Sequence, residues 1–215
     1  MPKIPVVKAI PAYKEWFVRG SFDVNLTIEN ADVFWDVGGF SVIVRFNPSV
    51  VQAVNVTEGP FLKSFGSTYP YWEINNIEGY VQIYVTQLPP RTTTYGNGTL
   101  FTIQFKGIGE GECNITLEES ELAAWADESK WVVITSVMVP HTVLNGYAKI
   151  TQPLFGDIDA DGRVGLSDLV LLAKAYGSHS GEPNWNKYAD LAEPWNLISL
   201  TDLVTLAVHY GQHFP

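Results

Sequence analysis

Cysteine is almost absent from this chain of 215 residues, with Cys113 alone, which excludes an internal disulfide framework and any thiolate zinc cluster. Basic residues are scarce as well: 13 Lys and Arg face 23 Asp and Glu, and the formal charge of -10 repels a phosphate backbone. Nucleic acid is not an expected partner. No apolar run approaches the roughly 18 residues of a membrane span, so none is expected. The start, Met1-Pro2-Lys3-Ile4, lacks the apolar core of a signal peptide, and the expectation is a soluble chain written without a leader. Catalytic spacing is missing too. His141, His179, His209 and His213 are scattered, with no Cys partner and no HExxH arrangement. Acid pairs such as Glu110 with Glu112, or Glu118 with Glu119, suit solvated turns better than a glycosidase dyad. An enzyme is not expected.

What the chain has is 46% hydrophobic residues, enough for packed cores, and a period of two over its first 150 residues. Phe22, Val24, Leu26 and Ile28 alternate with polar neighbours, as do Phe40 to Phe46, Tyr80 to Val85 and Thr99 to Phe105. Gly38-Gly39, Asn47-Pro48, Glu58-Gly59-Pro60, Pro89-Pro90, Gly96-Asn97-Gly98 and Asn145-Gly146 cut these runs into short strands, which a β-sandwich or jelly roll would close. Cys113, in the alternating run to Leu117, is expected inside as a small hydrophobe. Glu118 to Ala126 reads as the one helix-like interruption. Four usable N-glycosylation sequons, at Asn25, Asn55, Asn97 and Asn114, exceed chance among 12 asparagines and point to an extracellular or cell-surface protein.

The texture changes after Ile150. A short joint, Thr151-Gln152-Pro153, leads into residues 154–215, and from Thr151 onward eight acidic and three basic residues carry -5 on 65 residues. Here the apolar period becomes helical: Leu169, Leu172, Ala173 and Tyr176 share a face, as do Leu203, Leu206, Ala207 and Tyr210. Ser167 to Gly177 matches Thr201 to Gly211 at most positions, an internal repeat with a Ser or Thr ahead of each helix and a Gly after it.

Ahead of the first copy, Asp157 to Asp168 has the spacing of an EF-hand loop. Calcium needs six to eight hard oxygens, and a loop supplies them by turning alternate side chains inward. Asp157, Asp159 and Asp161 would each give one oxygen, Arg163 its carbonyl, a water near Gly165 another and Asp168 a pair. Gly162 permits the left-handed turn. The second copy has one extra residue between Asp190 and Asp202; Asp190, Glu193 and Asp202 are its candidate ligands, with Asn196 in the glycine's place. A metal-free loop held by Pro194 and Trp195 is an equal alternative for that copy.

A tandem of calcium loop and helix without a leading helix resembles a type I dockerin, over residues 154–215. The resemblance implies a partner surface on the helices and just before the last ligand, at Leu166 and Ser167 and at Leu200 and Thr201, with pseudo-twofold symmetry between the copies. Residues 1–150 resemble a cohesin, carried by Gly39 to Val51, Glu58 to Leu62, Gly98 to Lys106 and Gly109-Glu110-Gly111. That resemblance implies a nine-stranded jelly roll that grips a dockerin through a flat sheet. The expected protein is mainly β with a small α module: a non-catalytic adaptor that binds calcium. Its partners would be cohesin-bearing and dockerin-bearing proteins, or copies of itself head to tail. The competing reading is a carbohydrate-binding module with a dockerin anchor, using rings such as Tyr69, Tyr71, Trp72, Trp125 and Trp131 as stacking platforms. Two or three exposed coplanar rings would favour it.

Overall fold

The computed structural model describes residues 1–124 and 137–214. The chain divides into two compact units, one of residues 1–16 and 21–150, the other of residues 17–20 with 151 onward.

In the first unit the alternating runs become strands: β1 (Val6–Ile10), β2 (Tyr13–Phe17), β3 (Ser21–Ala31), β4 (Val37–Arg45), β5 (Val51–Glu58), then one helical turn, α1 (Pro60–Lys63). There follow β6 (Gly66–Asn75), β7 (Tyr80–Arg91), β8 (Gly96–Gly107), β9 (Gly111–Ala124), β10 (Val137–Met138), β11 (Thr142–Leu144) and β12 (Gly146–Thr151). One sheet has the order β11-β1-β3-β8-β5; the other runs β2-β12-β9-β4-β7-β6, with β10 added along β9. β1 and β11 pair in parallel, while β1, β3, β8 and β5, and likewise β12, β9, β4, β7 and β6, pair antiparallel. Where nine strands were implied, the described residues form twelve, because the short segments β2, β10 and β11 add to the sheet margins.

The core lies between the sheets. Phe22, Val24, Leu26 and Ile28 are buried from β3 and Phe101, Ile103 and Phe105 from β8. Val42, Val44, Val81, Ile83, Ile115 and Leu122 are buried in the second sheet. Period-two alternation puts one face of each strand into that core. Cys113 is buried as expected; its Sγ accepts the Asn47 N–H at 3.2 Å, and burial pushes the thiol pKa up.

Glu118 to Ala124 is strand, not helix: Glu118, Glu121 and Leu122 pair with Ile43, Ser41 and Phe40 of β4. A register shift falls at residues 119–120, where Glu119 takes φ of 47°. Ladder hydrogen bonds and the burial of Leu122 outweigh a weak local helix preference. Arg45 bonds Glu118 at 2.8 Å across the ladder, so this acid has a cation partner.

In the second unit the helices are α2 (Leu166–Ala175) and α3 (Leu200–His209). They bury Ile158, Val164, Leu172, Ala175, Ala189, Leu191, Ile198 and Leu206 in one cluster. The inward faces differ in phase from the expectation. Ala173, Ala207, Tyr176 and Tyr210 are exposed, and the buried positions run from Asp168 to Leu172 and Ala175, and from Asp202 to Leu206. The carboxylate that anchors each loop fixes which side of its helix turns in, and steps of three and four residues follow from it. Ser167 and Thr201 lie inside the first turn, with Gly165 and Ser199 as the N-caps, while Gly177 and Gly211 stop the helices in the left-handed region, at φ of 79° and 88°.

Candidate functional site

The first loop winds around its own carboxylates. Asp157, 2% exposed, accepts the Asp161 N–H on Oδ1 at 3.2 Å and the Gly162 N–H on Oδ2 at 3.1 Å. Asp159 Oδ1 accepts the Asp161 N–H at 3.2 Å, and Asp161 Oδ1 accepts the Arg163 N–H at 2.9 Å. Gly162 takes φ of 92°, as the loop spacing requires. Ligand oxygens of Asp157, Asp159 and Asp161 lie within 4.8 Å of one another, the one such acidic set of three among the described residues. Burial, with the neighbouring Asp168 charge, raises the Asp157 pKa to about 6, against the opposing pull of the backbone N–H groups. A hard cation would favour the ionised form.

Asp168 is fully buried and closes the loop onto α2. Its Oδ1 accepts the N–H groups of Ile158 at 2.6 Å and Asp159 at 3.2 Å, and its Oδ2 that of Gly165 at 2.8 Å. A carboxylate has about four lone-pair sites, so these donors leave one on Oδ2. The oxygen-only set of Asp157, Asp159 and Asp161 is of the kind that suits a hard, calcium-like ion.

The second loop repeats the frame with a different ending. Asp202 Oδ1 accepts the N–H groups of Leu191 and Ala192 at 2.7 and 2.9 Å, and Oδ2 that of Ser199 at 2.7 Å. Asp190 Oδ2 accepts the Asn196 N–H at 2.9 Å, and Asn196 takes φ of 69°, in the glycine's role. Ser199 Oγ lies 2.7 Å from Thr201 Oγ1 and 3.0 Å from Asp202 Oδ2, so its one proton is shared between those two acceptors. Asp190, Glu193 and Asp202 are not gathered as a ligand set. Thr201 Oγ1 donates to the Glu193 carbonyl at 2.9 Å, which ties the inserted residues to the helix start.

Two exposed faces complete the candidates. On the helices, Leu166 and Val170 are 66% and 44% exposed, and Leu200, Val204 and Val208 are 61%, 55% and 73% exposed. Ser167 and Thr201 are exposed beside them. On the sandwich, an open groove over β4, β6, β7, β9 and β10 is lined by Ser41, Tyr69, Tyr71, Tyr84, Glu121 and Met138. Tyr69 and Tyr71 were legible as rings in an alternating run. Tyr84 and Met138 join them only through the register of Tyr71 with Tyr84 and the pairing of β10 along β9.

The Tyr71 and Tyr84 rings are tilted by 35°, and Trp72 packs edge-on to Phe101, so these rings do not form a coplanar platform. Trp125 and Trp131 lie outside the described residues. Among the sequons, Asn55, Asn97 and Asn114 are exposed on β5, β8 and β9, whereas Asn25 on β3 is half-buried and accepts the Thr102 hydroxyl at 2.7 Å.

No protein-family model matches the sequence, and no curated protein matches it. Solved structures do. A non-cellulosomal cohesin from the hyperthermophilic archaeon Archaeoglobus fulgidus is similar at a TM-score of 0.54 and 18% identity, over 70% of this chain and 93% of that one. The sandwich has the cohesin fold. A type II cohesin domain from the cellulosome of Acetivibrio cellulolyticus is similar at a TM-score of 0.54 and 14% identity, over 68% and 95% of the two chains. A chain of a type I cohesin–dockerin complex from Clostridium thermocellum is similar at 0.55 and 10% identity, over 69% and 94%. Among the described residues no helix is long and apolar enough to cross a membrane.

Proposed function

We propose that this chain is a non-catalytic, extracellular or cell-surface assembly protein. The loop–helix unit acts as a dockerin-like module ordered by one calcium ion, and the cohesin-fold sandwich acts as a docking module. The observation that carries the reading is the gathering of the Asp157, Asp159 and Asp161 oxygens directly ahead of a helix whose first residue, Leu166, stands out in solvent.

Asp157, Asp159, Asp161, the Arg163 carbonyl and the free lone pair of Asp168 are the donors for the ion. The ion supplies positive charge that offsets the mutual repulsion of the carboxylates; the chain supplies the turn at Gly162 and the backbone donors that aim them. The second loop is held by Asp202, its three candidate carboxylates are not gathered, and Asp190 Oδ1 is buried without a hydrogen-bond partner, so this loop is the weaker of the two ion sites. The partner face of this module is Leu166, Ser167 and Val170 with Leu200, Thr201 and Val204, two copies of one apolar motif. The candidate docking face on the sandwich is the open groove bordered by Tyr69, Tyr71, Tyr84 and Met138, with Ser41 and Glu121 as its polar edge. Structures similar to the sandwich include one described as a cohesin–dockerin complex, which supports a dockerin-type partner for the sandwich. Partners are cohesin-bearing and dockerin-bearing proteins, including copies of this chain, and exposed Asn55, Asn97 and Asn114 accept glycans.

One chain bears both kinds of face, so copies associate head to tail, a heterologous contact that gives rings or filaments. Light scattering coupled to size exclusion, with excess calcium and then with chelator, tests this. Growth of mass with calcium, reversed by chelator, is expected. Monomers in both runs at high protein concentration would remove self-association and leave only separate partners.

A further inference from the structure

Residues 17–20 belong to the loop–helix unit although more than 130 positions separate them from its first loop. Two contacts explain what they do there. Phe17 is fully buried, its ring in edge contact with Phe214 at 5.5 Å, and ring atoms of Phe17 stand 3.1 and 3.2 Å from where a Cβ on Gly162 would be. Arg19 takes φ of 76°, a backbone conformation that L side chains rarely adopt. Its guanidinium Nη1 donates to the Ile158 carbonyl at 2.8 Å and Nη2 to the Asp157 carbonyl at 2.9 Å. The guanidinium carbon lies 3.9 Å from the centre of the Tyr188 ring, a cation–π contact.

The fork acts on a peptide that is already held at its other pole. The Asp157–Ile158 peptide gives its carbonyl to Arg19 and its N–H to Asp168 Oδ1 at 2.6 Å. A peptide bonded at both poles cannot rotate about its flanking torsions without breaking one of them. The carbonyls of residues 157 and 158 are thereby kept off the ligand side, and the Asp157 carboxylate stays aimed at Asp159 and Asp161. We propose that Arg19 is a positioning residue of the cation loop, so that the affinity of this site and its preference for calcium depend on residues 17–20 as well as on residues 151–215. The inference rests on the calcium reading above.

Electrostatics and positioning predict opposite signs for the loss of Arg19, which makes the proposal testable. A guanidinium near a cation site repels the ion, so removing the charge alone would raise calcium affinity. Loss of the fork frees the peptide and lowers it. A loosened loop can also contract around magnesium, which demands shorter bonds than calcium, so discrimination between the two ions narrows. Calorimetric titration of the full chain with calcium alone, and separately with magnesium alone, reads both quantities for wild type, Arg19→Ala and Arg19→Lys. Lysine keeps the charge and loses the planar fork.

Both variants are expected to bind calcium about tenfold more weakly, with a smaller calcium-to-magnesium ratio and one ion per chain. Circular dichroism at saturating calcium should match wild type, which separates positioning from unfolding. Should Arg19→Ala not fold, Arg19→Lys carries the test alone. Wild-type affinity in Arg19→Ala, or a gain, would overturn the positioning role while leaving the calcium site standing. Absence of calcium binding by wild type would overturn the calcium reading and this inference together.

Discussion

Gly162 shows how much one position can be asked to satisfy. Its φ of 92° is unfavourable for any side chain, and a Cβ there would meet the Phe17 ring at 3.1 Å. Gly162→Ala is expected to destabilise the loop–helix unit by about 1–3 kcal/mol, since strain and crowding add, and to weaken calcium binding with it. Chemical denaturation followed by far-ultraviolet circular dichroism with and without calcium checks both effects. The carboxylates are less forgiving. Asp157→Ala with Asp168→Ala removes a ligand and the anchor that holds three backbone N–H groups at 2.6, 3.2 and 2.8 Å. That double variant should show no calcium heat, while the unfolding of the sandwich, followed through a probe in its own core, should remain that of wild type. A calcium isotherm equal to wild type would sink the ligand assignment.

At the scale of elements, the two loop–helix copies differ in how they satisfy the same acid. Asp168 and Asp202 each accept three backbone N–H groups, and beside Asp202 stands the Ser199 hydroxyl where the first copy has Gly165. The inserted residue matters more, since only the first loop gathers three carboxylates. Titration with calcium should give one tight ion per chain, and two tight sites would contradict this difference between the loops. The helices are more alike than their loops. Leu166 and Leu200 are exposed to 66% and 61%, in equivalent places at the helix starts. Either helix can lead in docking if the repeat symmetry is used, so Leu166→Ala or Leu200→Ala alone should weaken partner binding modestly. Both together should weaken it by about 100-fold, as expected for loss of a buried anchor pair. A pull-down titration of the self-associated species, or of a cohesin partner, distinguishes the cases. Leu172 and Leu206, buried in the helical core, are different in kind: Leu206→Ala should cost about 2–5 kcal/mol of stability without altering the exposed face.

For the whole molecule, two cores imply two responses to metal. Among the described residues the sandwich gathers no acidic set of three, while the smaller unit gathers Asp157, Asp159 and Asp161 and buries Asp157, Asp168 and Asp202. An ion that binds only the folded smaller unit stabilises it by mass action, about 2.7 kcal/mol at 100 times the dissociation constant. Differential scanning calorimetry should thus show a transition that moves up with calcium and falls with chelator, alongside one that does not move. A single transition shifting as a whole would mean that the two cores unfold together. The charge of -10 acts on assembly as well: association of like-charged copies should strengthen as salt screens their repulsion, at fixed calcium.

Much of this protein is local, and what is local was readable from residue order. The alternation of Phe22, Val24, Leu26 and Ile28, the inward Cys113, the loop spacing from Asp157 to Asp168 and the repeat of its helix depend on near neighbours alone, because strand and helix periods and loop chelation act over a few residues. Non-local competition decided the rest. Glu118 to Ala124 became strand because β4 offered a ladder, a choice that local propensity cannot foresee. The phase of the helical faces followed from burying Asp168 and Asp202, and the groove of Tyr71, Tyr84 and Met138 exists only once β6 is in register with β7 and β10 with β9. Arg19 is the clearest case. Nothing around Val18-Arg19-Gly20 marks it for the acidic loop that begins at Asp157; only folding sets its guanidinium on the Asp157 and Ile158 carbonyls, because hydrogen bonds select for distance in space and are blind to distance along the chain.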